Sequence, residues 1–353
     1  MQGEGVEITM NPRCLILSAC LCGGICVAFA DDEKMKLPDL VYRSNGVYSV
    51  IEAAEVGDTA VVEARIKEGC NVNQKDENGY TALHMAAIKG SAKCVKLLLE
   101  AGADSLLTDA DGKTARKLSK SKKVNSLLDK AMKSRQMEIE LCSKVVAGEM
   151  DALKKAIKSK GFNANMMNAD NTISLLMLVC AHGDVASVKS LIKAGADVNY
   201  VAPDSRSVLH KAVDRENADI INALLEAGAN PMAQAGNKAT ALHDAVWNAK
   251  ETSIKALLPA YKDINYSPAG GFNGTPINLA IDRNFSNVVQ LFIDAGIDLN
   301  KNDTGELPLV HAAIAGKSEC IEVLLKAGAS KTARDKNGKT AGEAAAESVR
   351  YLF

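Results

Sequence analysis

Five histidines, His84, His182, His210, His243 and His311, and nine cysteines are the side chains in this sequence best able to ligate a metal or serve as acid, base or nucleophile. Their spacing favours none of these chemistries. No HExxH, CxxC, Walker loop, nucleophile elbow or dinucleotide glycine fingerprint is present, so metal, phosphate and acyl-transfer sites lack their sequence frames. Carboxylates such as Asp76, Asp111 and Asp335 stand beside Gly and Asn in turn-forming runs, a placement that turn chemistry explains. No catalytic, cofactor-binding or metal-binding residue is assigned, and neither an enzyme activity nor a cofactor is expected.

The cysteines fall into two groups. Cys14, Cys20, Cys22 and Cys26 lie in an apolar N-terminal segment, while Cys70, Cys94, Cys142, Cys180 and Cys320 are widely spaced. The second group is odd in number, so at least one member is free or paired between molecules. All but Cys142 occupy positions where neighbouring stretches carry Ala or Val, and these four are expected to be buried packing residues.

The elements that would have to position any site are periodic. Asp76-Glu77-Asn78-Gly79 precedes Thr81-Ala82-Leu83-His84, then a short Ala-rich helix to Gly90, a Leu-rich helix through Cys94 to Leu99, and Gly102-Ala103-Asp104. The same order returns along most of the chain: Gly69, Gly102, Gly195, Gly228, Gly296 and Gly328 mark it, with steps of 33, 33 and 32 residues and one of 68 between Gly228 and Gly296. Fixed-period repetition overrides the two or three globular domains that 353 residues would suggest. Each unit exposes an apolar face that only its neighbours can cover.

These units resemble ankyrin repeats, whose signature is a ~33-residue period with Thr-Pro-Leu-His-x-Ala. Thr275-Pro276-Ile277-Asn278-Leu279-Ala280 carries the motif in this chain with Ile in place of Leu and Asn in place of His, and the resemblance runs roughly from Tyr48 to Phe353. It implies an all-α solenoid of helix-turn-helix units with β-hairpin-like loops, about ten repeats counting shortened terminal ones. His84, His210 and His243 would then be structural, each holding a turn by a hydrogen bond; His311 is displaced by one position, and His182 stands just before Gly183. Equivalent residues in adjacent units would be ~8–10 Å apart, too far to share one zinc.

Two stacks are expected, at 46–133 and 134–353, because a basic, compressed unit ends near Ser134 before the pattern restarts at Leu141. Two readings of their connection stay open: one continuous array, or a weak, mobile junction. The insertion Ala269-Gly270-Gly271-Phe272 should lengthen one hairpin.

By the same resemblance, a protein partner would meet the hairpin tips and a concave strip along the first helices. That strip should include Ile88, Lys89, His182, Asp214, Arg215, Trp247, Asn248, Asp282, Arg283 and Ile314. Trp247, the sole tryptophan, has two readings: cover for an irregular helix end where Ala249 replaces Gly, or an exposed aromatic flanked by arginines, the makeup of a binding hot spot. With 42 basic and 43 acidic residues well mixed, the chain lacks the basic footprint of a nucleic-acid binder. The expected function is a non-enzymatic protein-binding scaffold, acting as a monomer.

Residues 1–30 read as a secretory signal peptide. Met10-Asn11-Pro12-Arg13 gives a positive start, Cys14 to Ala30 is uncharged and largely apolar, and Ala28-Phe29-Ala30 precedes Asp31-Asp32-Glu33. Glu4 and Glu7 suit such a start badly, so translation from Met10 is expected, with cleavage after Ala30 and a polar leader at 31–45. Two rivals stay open: a lipobox-like Leu17-Ser18-Ala19-Cys20 that would lipidate Cys20, and an uncleaved anchor at 14–30. Either would bring membrane contact. A periplasmic location is expected, with a secreted effector of a host protein or an anchored envelope protein as alternatives.

Overall fold

The computed structural model describes residues 49–261, 274–300 and 307–353. The signal segment at 1–30, the leader at 31–45, Cys14, Cys20, Cys22, Cys26 and the insertion at 269–272 lie outside the described residues.

Short helices come in pairs. α1 (Val50–Val56) packs on α2 (Thr59–Lys67), α3 (Ala82–Lys89) on α4 (Ala92–Glu100), and α5 (Ala115–Leu118) on the start of α6 (Lys122–Val146). The end of α6 packs on α7 (Met150–Ile157), followed by α8 (Leu175–His182) with α9 (Val185–Lys193) and α10 (Val208–Val213) with α11 (Ala218–Glu226). Next come α12 (Ala241–Trp247) with α13 (Glu251–Leu257), α14 (Pro276–Asp282) with α15 (Ser286–Asp294), and α16 (Pro308–Ile314) with α17 (Ser318–Lys326). The last unit is α18 (Ala341–Ala344) and a 3-10 turn at Glu347–Leu352.

The sequence starts and stops these helices locally. Ser91, Asp184 and Asn217 cap second helices by accepting backbone N–H groups of the first turn, an arrangement that stabilises a helix by ~1 kcal/mol. Gly57 and Gly90 end first helices in the left-handed region at φ 81° and 76°, where Gly carries no Cβ penalty. Between units the chain turns through tight fingers. No strand forms among the described residues, but single antiparallel bridges join Thr108 to Thr114, Met167 to Ser174, Val201 to Ser207 and Gln234 to Thr240. In each the second residue is the N-cap of the next first helix.

First helices stack on first helices and second on second, so each unit touches chiefly its neighbours. Small residues such as Ala53, Ala54, Ala86 and Ala87 are buried on the first helices, with Leu98, Leu191 and Leu224 buried on the second. Each such leucine contributes roughly 1.5–3 kcal/mol by leaving water. All five described cysteines are free. Cys94, Cys180 and Cys320 are buried as expected, whereas Cys70 is only partly covered and Cys142, left aside in the sequence reading, is buried.

Two apolar cores result, one from Val50 to Leu128 and the other from Leu141 to Val349. The pause in the pattern near Ser134 is not a linker: Ser134 lies inside α6, whose 25 residues run unbroken. Its start, with Val124 and Leu128 buried, serves as a second helix against α4, and its end, with Leu141 and Val145 buried, serves as a first helix against α8. One unit's second helix thus continues into the next unit's first helix, with no finger between them.

Candidate binding surface

The first helices bury their middle and expose their last turn. In α3, Ala86 and Ala87 are buried while Ile88, 51% exposed, and Lys89 face solvent. The same register exposes His182 at the end of α8, Asp214 and Arg215 after α10, Trp247 and Asn248 at the end of α12, Asp282 and Arg283 at the end of α14, and Ile314 at the end of α16. Ile88, Asp214, Trp247, Asp282 and Ile314 stand two positions before the residue that ends the helix in the left-handed region: Gly90, Glu216, Ala249, Asn284 and Gly316. The row is therefore set by one repeated piece of helix-end geometry. Gly183 departs from it with φ −95°, and there glycine is needed for space, since a Cβ would meet the Val179 side chain at 2.6 Å.

Some of these residues come together and others do not. Trp247, 44% exposed, has the Arg283 guanidinium 4.4 Å from its ring centroid, a cation–π contact between adjacent units. Arg283 also lies 5.5 Å from the Phe285 ring. Asp282 accepts from His311 Nε2 at 2.7 Å. Asp214 and Asn248 line an open cavity of about 510 Å³ together with Asp204, Arg206, Asn237 and Asp244. Ile88 and Lys89 stand apart, on helices of the first core.

Sequence reasoning missed the finger side of that cavity. Arg206 donates to Asp244 Oδ2 at 2.8 Å and lies 3.6 Å from Asp214, so one guanidinium serves two carboxylates. Asp244 was within reach of a helical-period argument, being three residues before Trp247 and on its face. Arg206 and Asp204 were not, because a finger residue's neighbours depend on how units stack.

Behind the row, three histidines hold the fingers to the helices. His84 Nδ1 accepts the Thr81 backbone N–H at 3.1 Å and meets the Thr81 hydroxyl at 2.9 Å, while Nε2 meets the Lys113 carbonyl of the next finger at 3.1 Å. His210 does the same with Ser207 and the Ala239 carbonyl, and His243 with Thr240. An accepting Nδ1 and a donating Nε2 define a neutral imidazole. Burial lowers the pKa of His84 and His210 and pushes that of His243 down to about 4. In the fourth such position Asn278 is buried with neither amide atom paired. Among the described residues no group of His, Cys, Asp and Glu is placed to hold a metal, and no helix is long and apolar enough to cross a membrane.

A family model described as "Ankyrin repeats (3 copies)" matches residues 50–133, 141–235, 176–268 and 242–335. The chain is 39% identical over 85 residues to the palmitoyltransferase AKR1 of Lachancea kluyveri, covering 24% of this chain and 11% of that protein. It is 27% identical over 170 residues to an L-asparaginase of Dirofilaria immitis, covering 48% of this chain and 24% of that one. The match thus spans less than a third of either relative. Among solved structures, the ankyrin repeat domain of Bcl-3, a member of the IkappaB protein family, superposes with a TM-score of 0.53 at 22% identity, over 60% of this chain and 96% of that one. At that identity the likeness is one of fold.

Proposed function

Because the chain belongs to the ankyrin-repeat family, which generally provides protein–protein interaction modules, we propose that it is a non-enzymatic scaffold that binds a protein partner along the last turns of its first helices. The observation that carries this reading is the row of exposed side chains centred on Trp247, an aromatic left half open to solvent beside Arg283. Exposed side chains at a repeated, rigid position are well suited to recognition. Their mixed charge suits a protein surface better than nucleic acid. The helix pairs described above support a count of about ten units, and a monomer is the working form. Residues 1–30 support export to the periplasm, the leader following after Ala30.

The test is to cross-link and identify a partner in the native cell, then measure its affinity for variants. Trp247→Ala and Arg215→Ala should each weaken binding by about tenfold or more, the truncation cost of a hot-spot residue, with cooperative unfolding kept. Undiminished binding in both variants would remove the strip from consideration. Loss of cooperative unfolding in Trp247→Ala would make the ring a packing residue. Mass and N-terminal sequence of the native protein decide the compartment: a start at Asp31 supports export, whereas an intact Met10 or a lipid on Cys20 ties the scaffold to a membrane.

A further inference from the structure

At four junctions neighbouring units are tied in two ways, through a shared apolar core and through asparagines that stitch loop to loop. Asn73 donates to the Gly102 carbonyl and accepts the Asp104 N–H; Asn165 bonds Gly195 and Asp197, Asn199 bonds Gly228 and Asn230, and Asn300 bonds Gly328 and Ser330 in the same manner. Each asparagine stands four positions after a loop glycine. At that position after Gly102 stands Leu106, which can stitch nothing, and α6 occupies the place of the next loop. The apolar tie fails there too. Between Leu128, the last residue of the first core, and Leu141, the first of the second, α6 advances ~20 Å and buries one side chain, Arg135.

Arg135 replaces both missing ties. Its Nε lies 3.4 Å from Asp104 Oδ2, in the last loop of the first core. Its Nη1 donates to the Met167 carbonyl at 2.7 Å, and its Nη2 donates to the Asn168 carbonyl and to Asn171 Oδ1, all in the first finger of the second core. Asn171, held at φ 55°, also donates from Nδ2 to Asp104 Oδ2, closing a ring of bonds between residues 67 apart in sequence. The side chains of Arg135 and Asp104 are 9% and 4% exposed, so these bonds act with little screening from water. Beside them lies an open cleft of about 420 Å³ where a finger would otherwise stand, bordered by Leu127, Ser134 and Met166.

We infer that the middle of α6 is a hinge and that Arg135 is its latch, coupling the two stacks into one rigid body while it bridges Asp104 to the 167–171 finger. With the bridge intact the stacks unfold together; without it the cleft gives them room to move and the exposed middle of α6 becomes the weakest helix of the chain.

Arg135→Met tests this, since methionine keeps helix propensity and apolar bulk while removing all the bonds. Trp247, the sole tryptophan, ends α12 and so reports on the second stack, whereas far-UV ellipticity reports on both. In the unaltered protein the two signals should share one urea transition, and a glutamate-specific protease should cut slowly after Glu140. In Arg135→Met the transitions should separate and cleavage there should quicken at least tenfold. A single shared transition with unchanged cleavage in Arg135→Met, or separated transitions in the unaltered protein, overturns the latch. If Arg135→Met yields no helical signal, Asn171→Gly decides: it keeps the backbone conformation and removes two of the bonds. Cleavage after Glu140 at least threefold faster supports the latch, and an unchanged rate overturns it.

Discussion

The three tethering histidines work only while neutral, because each Nδ1 accepts a backbone N–H from the N-cap residue. His243 has its pKa pushed down by burial to about 4, against ~6.5 in an unfolded chain. Between those values the unfolded chain takes up a proton that the folded chain refuses, so stability is full above pH ~6.5 and falls as the pH drops toward 4. From His243 alone the loss should reach about 2 kcal/mol at pH 5, and His84 and His210, shifted in the same direction by burial, add to it. Urea titrations at pH 7.5 and pH 5 would measure it. His243→Gln should be less stable at pH 7.5 and lose less on acidification; an equal loss in that variant would mean that other groups dominate. The roles of these histidines were legible in the sequence because the Leu-His pair recurs in the slot where the resemblance to ankyrin repeats implies a turn-holding bond. Arg135 was not: one basic residue among many on a polar helix reads as a solvated side chain, and its partners lie about 31 to 36 residues away on both sides.

At the scale of elements, the fingers are governed by how closely they stack. Gly79 and Gly112 hold the same place in successive fingers, each with a positive φ, 78° and 73°. A Cβ on Gly79 would come within 2.8 Å of the Ala110 nitrogen and 3.1 Å of the Asp109 carbonyl carbon, backbone atoms of the next finger, whereas a Cβ on Gly112 would meet nothing within 4 Å. Ala110 N–H already donates to the Asn78 carbonyl at 3.0 Å, so the two fingers cannot separate without losing a bond. Gly112→Ala should therefore cost about 1–2 kcal/mol for its backbone conformation alone, and Gly79→Ala roughly 2–4 kcal/mol once overpacking is added. Equal losses in the two variants, read from urea midpoints, would discard the stacking account. No finger follows directly after that of Gly112, because α6 takes its place. Periodicity pointed to the helix pairs and the glycines that end them, and the resemblance to ankyrin repeats implied the exposed row. It suggested an interruption near Ser134 but not its form, since a helix spanning two units leaves the same compressed, polar signature as a linker.

For the molecule as a whole, stability should travel from unit to unit and weaken with distance, since each stacks chiefly on its neighbours. The C-terminal end offers a clean trial. Ala341, Ala345 and Val349 are buried against α16 and α17, and the Ala346 N–H donates to the Ala313 carbonyl at 2.9 Å. Removing residues 339–353 uncovers Ala312, Ala313 and Leu324 but alters nothing in the first core. Hydrogen exchange should quicken at least tenfold in α16 and α17, less in α14 and α15, and hardly at all in α3 and α4, because local opening depends on nearby burial. A uniform acceleration through all the helices would instead mean that the array opens only globally, with no local opening at its end. Where the gradient flattens is informative in itself. Among the described residues no buried apolar side chain joins the two cores across the middle of α6, so a disturbance spreading from the C-terminus reaches the first stack chiefly through α6 itself and the Arg135 bridge. An effect that stops at α7 in the truncated chain, and stops there whether or not Arg135 is present, would mean that the stacks are energetically independent and that the partner surface is two short strips rather than one long one.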